Sequence, residues 1–270
     1  MIIKCPYCGS EATVKFGKYK DSQYYYCKLC CRKFRDNEYL YHMKVPRRYI
    51  TRALEMYYTG YSVPSIREFL SQNYGYSPSY SVLWGWINKY TRLAVSLFRD
   101  VSPVTGKVWI VTETMLEMKR QKLFVYDVLD KETRFLFISC VGVHEVVHAV
   151  REFLSGRGDS PEKVYINVME PYEDAIRNIF DRCREFSREP QFNGNNEFID
   201  RFSLNLPDGS RVLRNFRSIN ILVGFIMGWR VYYNFFRLNP RLGDKTPAQM
   251  CGLDYHIKTW DELIRKTSHP

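Results

Sequence analysis

Two short cysteine pairs constrain this chain more than any other feature: Cys5-Pro6-Tyr7-Cys8 and Cys27-Lys28-Leu29-Cys30, separated by 18 residues. Each pair can close a tight turn that aims two thiolates at one point, and two such turns complete a tetrahedral zinc shell. Between them, Thr13-Val14-Lys15-Phe16-Gly17 and Tyr24-Tyr25-Tyr26 have the composition of hairpin strands, with Gly9 easing the turn after the first pair. A segment of this length buries too little to fold alone, so residues 1–36 are expected to be a zinc ribbon held by structural zinc on Cys5, Cys8, Cys27 and Cys30. A redox dithiol is the alternative. Cys31 follows the last ligand and would point away, while Cys140, Cys183 and Cys251 are scattered and suit core thiols.

No run approaches the roughly 18 apolar residues of a membrane span. Met1-Ile2-Ile3-Lys4 leads into the first cysteine pair and not into a signal peptide, so a cytoplasmic chain without membrane contact is expected. At 45% hydrophobic and 26% charged residues, the composition excludes a disordered or collagen-like chain. Its charge is uneven. Residues 1–100 carry 16 Lys and Arg against 7 Asp and Glu, whereas the remainder carries 24 against 22. A basic front on a near-neutral body suggests a nucleic-acid-binding region attached to something else, an ordinary solvated surface being the alternative. On the ribbon, Lys15, Lys18, Lys20, Arg32, Lys33 and Arg35 are interleaved with tyrosines, which favours phosphate contact and base stacking.

From residue 47 the pattern turns helical. Ile50, Ala53, Leu54 and Tyr57 share one face, Gly60 ends that helix, and Ser62-Val63-Pro64-Ser65 opens a second bearing Ile66, Phe69 and Leu70. Ser77-Pro78-Ser79 starts a third with Val82, Leu83, Trp86 and Ile87. Three short helices within 37–100 suit a helix-turn-helix whose third helix enters the major groove of double-stranded DNA. Ser79, Tyr80, Ser81, Lys89 and Arg92 would then face DNA, with Arg47 and Arg48 beside them. A small helical bundle used as a spacer is the alternative.

Residues 101–270 open with strand-like runs at 108–111, 122–128 and 133–139, the last two joined by a turn at Asp130-Lys131-Glu132-Thr133. Helical stretches at 145–153 and 171–180 flank the strand Val164-Tyr165-Ile166-Asn167. A strand meander followed by alternating helices and a strand is the order of a ribonuclease H-like α/β domain, a mixed sheet flanked by helices. The whole is therefore a multidomain α+β chain: ribbon, helix-turn-helix, ribonuclease H-like body.

Three stretches carry a resemblance: Trp109-Ile110-Val111-Thr112-Glu113-Thr114, Trp229-Arg230-Val231-Tyr232-Tyr233-Asn234-Phe235-Phe236-Arg237, and Lys245-Thr246-Pro247-Ala248-Gln249-Met250-Cys251-Gly252. In these the chain resembles the DDE transposases of insertion sequences, in particular the IS6-like group. Such enzymes cut and join DNA with three carboxylates that hold two divalent metals. The resemblance places the first acid at Thr112, the second at Asn167, ahead of Pro171-Tyr172, and the third at Asp200 within Asn195-Asn196-Glu197-Phe198-Ile199-Asp200-Arg201-Phe202. Two of the three are neutral. At an effective dielectric of about 20 and about 4 Å, each unit charge pair contributes ~4 kcal/mol, twice that against a dication, so the substitutions imply a domesticated transposase without catalysis. Its expected role is then DNA binding in transcription regulation or chromosome organisation, associated with the nucleoid. The alternative is an active metal-dependent transposase or nuclease with a site rebuilt from Glu170, Glu197 and Asp200. Glu113 lies one residue from Thr112 and strand alternation sends it to the opposite face. His144 and His148 read as ordinary helix positions. The resemblance further implies a homodimer, through the aromatic helix 225–236 or the basic positions Arg211, Arg214 and Arg217.

Overall fold

The computed structural model describes residues 3–5, 10–19, 22–35, 45–118, 121–155, 161–168, 170–180, 183–187, 218–253 and 255–267. The chain divides into two compact units, one formed by 1–57, 63–93 and 256–270, the other by 58–62 and 94–255.

In the first unit, β1 (Thr13–Tyr19), β2 (Ser22–Cys27) and β3 (Lys33–Arg35) form an antiparallel sheet. A register shift between Lys15 and Gly17 is accommodated by Gly17 at φ 131°, a conformation that L side chains rarely adopt. Tyr25 and Phe34 are register partners and stack at 5.7 Å; with Cys5 and Cys27 they form the buried core of this sheet. Helices α1 (Arg47–Tyr58), α2 (Val63–Tyr74) and α3 (Tyr80–Leu97) follow. Ile50, Ala53, Leu54, Tyr57, Ile66, Leu70, Leu83 and Ile87 are buried, so the helical periodicity marks the faces that pack. Gly60 takes φ 98° after α1, and the Ser79 hydroxyl accepts from the Val82 amide at the start of α3.

The terminal helix Trp260–Thr267 belongs to this unit, although the sequence pattern groups it with the body. Its Asp261 accepts from Arg47 Nε at 2.6 Å and from Thr51 Oγ1 at 3.3 Å, and pairs with Arg265 on its own helix.

The second unit is built on a five-stranded mixed sheet. Strands β4 (Val108–Met118), β5 (Gln121–Asp130) and β6 (Leu136–Val141) form an antiparallel meander; helix α4 (Val143–Ser155) then crosses over to β7 (Lys163–Asn167), parallel to β4. Helix α5 (Glu170–Arg177) leads to β8 (Glu185–Ser187), parallel to β7, giving the order β6-β5-β4-β7-β8. Parallel neighbours require such crossovers, which is why helices interrupt the strands only after the meander. Trp109 packs with Phe137, Phe153 and Phe180, while Ile110, Leu129 and Leu136 form a second cluster with Tyr165 and Tyr233.

The turn after β5 is organised by one buried carboxylate. Asp130 Oδ1 accepts from the Glu132 and Thr133 amides and the Thr133 hydroxyl, and Oδ2 accepts from the Gly106 amide. A Cβ on Gly106 would sit 2.8 Å from that Oδ2, so the close approach requires glycine.

Helix α6 (Ile219–Val231) passes directly into a π-helical turn, Tyr232–Phe236. Buried Asn234 meets β6, the edge strand: its Oδ1 accepts from Leu136 N and its Nδ2 donates to Leu136 O, both at 2.9 Å. The amide thus satisfies edge groups that would otherwise invite another strand. Replacing Asn234 with alanine orphans a buried amide and carbonyl and is expected to cost about 2–5 kcal/mol. A lowered denaturant midpoint with an unchanged slope checks this; an unchanged midpoint contradicts it.

Candidate active site and metal centre

Cys5 and Cys27 are buried, Cys30 is half-buried, and their sulfur atoms all lie within 4.8 Å of one another, with Cys5 and Cys30 Sγ 3.6 Å apart. Local backbone bonds shape both turns: Cys5 N donates to Ser10 O and Cys27 N to Arg32 O, each at 2.8 Å. Three converging thiols are a soft donor set that can bind a metal ion. Cys8 lies outside the described residues. Cys31 is exposed at φ 57° and is not in the cluster; its neighbouring thiol holds the Tyr26 phenol above its usual range. Cys251 is buried, while Cys140 and Cys183 are half-buried, and burial pushes both of those thiols up.

The cationic positions fall on the first unit. Lys15, Lys18, Arg32, Lys33, Arg48, Ser79, Tyr80, Ser81, Lys89 and Arg92 are exposed. Lys33 sits over the Phe16 ring at 3.9 Å, and Arg48 over Tyr49 and Tyr74. Arg47 differs: its guanidinium is engaged by Asp261. Lys20 and the Arg35 side chain lie outside the described residues.

In the second unit the sheet register brings two of the three acid positions together. Thr112 is the parallel partner of Asn167 and the antiparallel partner of Asp127, which in turn is the partner of Ser139. One row of Cα partners therefore crosses four strands through Ser139, Asp127, Thr112 and Asn167. Thr112 is 3% exposed and Asp127 4%. Asp127 Oδ1 has no hydrogen-bond partner, and burial pushes this carboxyl up to about 7. The Ser139 hydroxyl acts against burial by favouring the ionised form, although neither Ser139 Oγ nor Asp127 Oδ1 completes a hydrogen bond. Glu113, the next residue along β4, pairs with Tyr126, as alternation requires; its Oε2 is also buried without a hydrogen-bond partner.

Asp200, Glu197, Arg211, Arg214 and Arg217 lie outside the described residues, as do the side chains of Asn167 and Glu170. His144 and His148 are exposed on α4, His148 being 4.0 Å from Glu152. Asp127 is the site residue that sequence reasoning passes over. Its signal is a charge inside the apolar run Leu123-Phe124-Val125-Tyr126-Asp127-Val128-Leu129.

Residues 106–239 match a family model described as a DDE domain. No curated protein matches the chain. Among solved structures the chain is similar to the HTLV-2 integrase catalytic core domain in complex with magnesium. The dimeric form gives 13% identity, 54% of this chain and 95% of that chain, and TM-score 0.35; the trimeric form gives 14%, 55%, 97% and 0.37. A simian T-cell lymphotropic virus intasome in complex with PP2A regulatory subunit B56 gamma gives 10% identity, 76% of this chain, 73% of that chain and TM-score 0.39.

The family match overturns the expectation that this chain is not an enzyme, because DDE domains are nucleic-acid-processing enzymes. That expectation weighed Thr112, Asn167 and Asp200, with Glu113, Glu170 and Glu197 as substitutes, and left out Asp127, the antiparallel register partner of Thr112. Residues 106–239, just under half of the chain, therefore carry a DDE domain, as the resemblance to the IS6-like insertion-sequence transposases implies.

Proposed function

We propose that this chain is a metal-dependent enzyme that cuts or joins double-stranded DNA. In this reading a zinc ribbon (1–36) and a helix-turn-helix (37–100) hold the duplex, and the chemistry resides in the ribonuclease H-like body, 101–270. The observation that carries it is the DDE-domain match over 106–239, supported by the register pairing of Thr112 with Asn167. Divalent ions in such a site activate the attacking oxygen and neutralise the leaving one. The donor set is hard oxygen, and the orphaned Oδ1 of Asp127 suits it.

The chain's own part is positioning. The exposed cations Lys15, Lys18, Arg32, Lys33, Lys89 and Arg92 supply phosphate contacts that fix the duplex, while Ser79, Tyr80 and Ser81 at the start of α3 reach base edges. Cys5, Cys8, Cys27 and Cys30 hold the structural zinc that keeps the ribbon folded. A homodimer would allow two DNA ends to be paired. No helix among the described residues is long and apolar enough to cross a membrane.

Duplex binding across a salt series tests whether DNA is the substrate. With roughly six to ten phosphates engaged, affinity falls about 10³- to 10⁵-fold between roughly 50 and 200 mM salt. Absence of binding at the lowest salt contradicts the proposal.

A further inference from the structure

We infer that Asp127 is a carboxylate ligand for a divalent cation held at the centre of the Ser139, Asp127, Thr112, Asn167 row, displaced one strand from the acid position that Thr112 occupies. This inference rests on the DNA-processing reading above and names the group that would hold the ion.

Three observations lead there. First, Asp127 is 4% exposed and its Oδ1 has no hydrogen-bond partner. Buried carboxylates are stable only when paired, hydrogen-bonded or coordinated to a metal. Its charge interacts with the Cys140 thiol and the Tyr233 phenol, both of which it holds up, and no guanidinium or ammonium is among the causes that set its own titration. Second, Asp127 and Thr112 are direct antiparallel partners, and Thr112 partners Asn167 in turn. Adjacent strands run about 4.8 Å apart. Two oxygens that share one cation at about 2.0–2.6 Å each span a distance of that order, so a single ion can touch donors on neighbouring strands. Third, the donors along the described part of the row are a carboxylate and two hydroxyls, with Ser139 Oγ also lacking a hydrogen-bond partner. Hard oxygens of this kind select magnesium or manganese over softer metals. Among the described residues the only cluster of three or more His, Cys, Asp or Glu ligands is the cysteine set; the row contributes a single carboxylate, Asp127.

Asp127→Asn keeps the shape of the side chain and removes its charge, so the variant is expected to fold. Glu113→Gln, on the opposite face of β4, serves as the control. The probe is Mn²⁺, titrated into the zinc-loaded full chain at pH 8 and followed by electron paramagnetic resonance and by the shift in melting temperature. DNA cleavage is measured in parallel. Wild type and Glu113→Gln are expected to bind Mn²⁺ alike. Asp127→Asn is expected to bind more than about 100-fold more weakly, beyond the 10- to 100-fold that an outer-shell partner contributes, and to lose the melting shift.

Unchanged Mn²⁺ binding by Asp127→Asn, or absence of binding by wild type, overturns the inference. If Asp127→Asn still cuts DNA with added metal as wild type does, the inference falls and the DNA-processing reading stands. If Asp127 is required for Mn²⁺ binding but wild type cuts no DNA, the inference stands and that reading falls.

Discussion

With chelator present throughout, replacing Asp127 with asparagine stabilises the second unit strongly above pH 7 and changes its stability little below pH 4. Burial raises this carboxyl from its ordinary 3.8 to about 7. The folded chain therefore holds the proton more tightly than the unfolded chain does. Stability from this group is fully present below the unfolded value and is lost as pH rises through the folded one. Over that interval, at about 1.36 kcal/mol per pH unit, the loss comes to about 4 kcal/mol. Asparagine does not titrate and escapes the loss. For a unit of this size, 4 kcal/mol corresponds to a rise of about 8–16 °C in melting temperature. Melting curves for both proteins between pH 3 and pH 9 provide the check: values that converge below pH 4 and a gap that opens between about pH 4 and 7 and then stays level are expected, whereas parallel profiles contradict a buried acid with a raised pKa.

If Cys5, Cys27 and Cys30 hold the proposed zinc, chelation or Cys27→Ser is expected to unfold residues 1–36 while leaving the second unit intact. The buried core of that sheet is Cys5, Tyr25, Cys27 and Phe34, with Ile3 and Cys30 packed against it, and two of the four core residues are candidate ligands. So little burial cannot offset the ordering of some thirty residues. Structural zinc contributes on the order of 10–16 kcal/mol in comparable peptides at neutral pH, which is enough to decide whether such a segment folds. Native mass spectrometry should find one zinc per chain, and chelation should make residues 1–36 protease-sensitive and reduce duplex affinity. A chain that keeps the Tyr25 and Phe34 packing after chelation contradicts the ribbon reading.

Local pattern carries far in this sequence and stops where long-range register begins. The helices α1 to α3 were legible because Ile50, Ala53, Leu54, Ile66, Leu70 and Leu83 recur at helical spacing and are buried. The meander was legible from its apolar runs, although β4 extends to Met118 because Thr112, Glu113 and Thr114 continue a strand whose hydrophobic signal has ended. Strand β8, Glu185–Ser187, is too short to show a period. The π-helical turn at Tyr232–Phe236 reads as continuous helix, since its apolar residues continue the pattern of α6. The contact between Arg47 and Asp261, 214 residues apart, has no local signature at all. The same holds for the site. The resemblance pointed to Thr112 and Asn167, which are register partners in the sheet, but Asp127 enters only through the cross-strand register, which no spacing in the sequence states.

The most direct test of a DNA-processing enzyme is incision of a labelled duplex by the zinc-loaded full chain, under single-turnover conditions, with Mg²⁺ or Mn²⁺ against a metal-free control. Metal-dependent strand breaks or joined products, absent from the control, are the predicted result. A chain that binds the duplex tightly and leaves both strands intact with either metal contradicts the account.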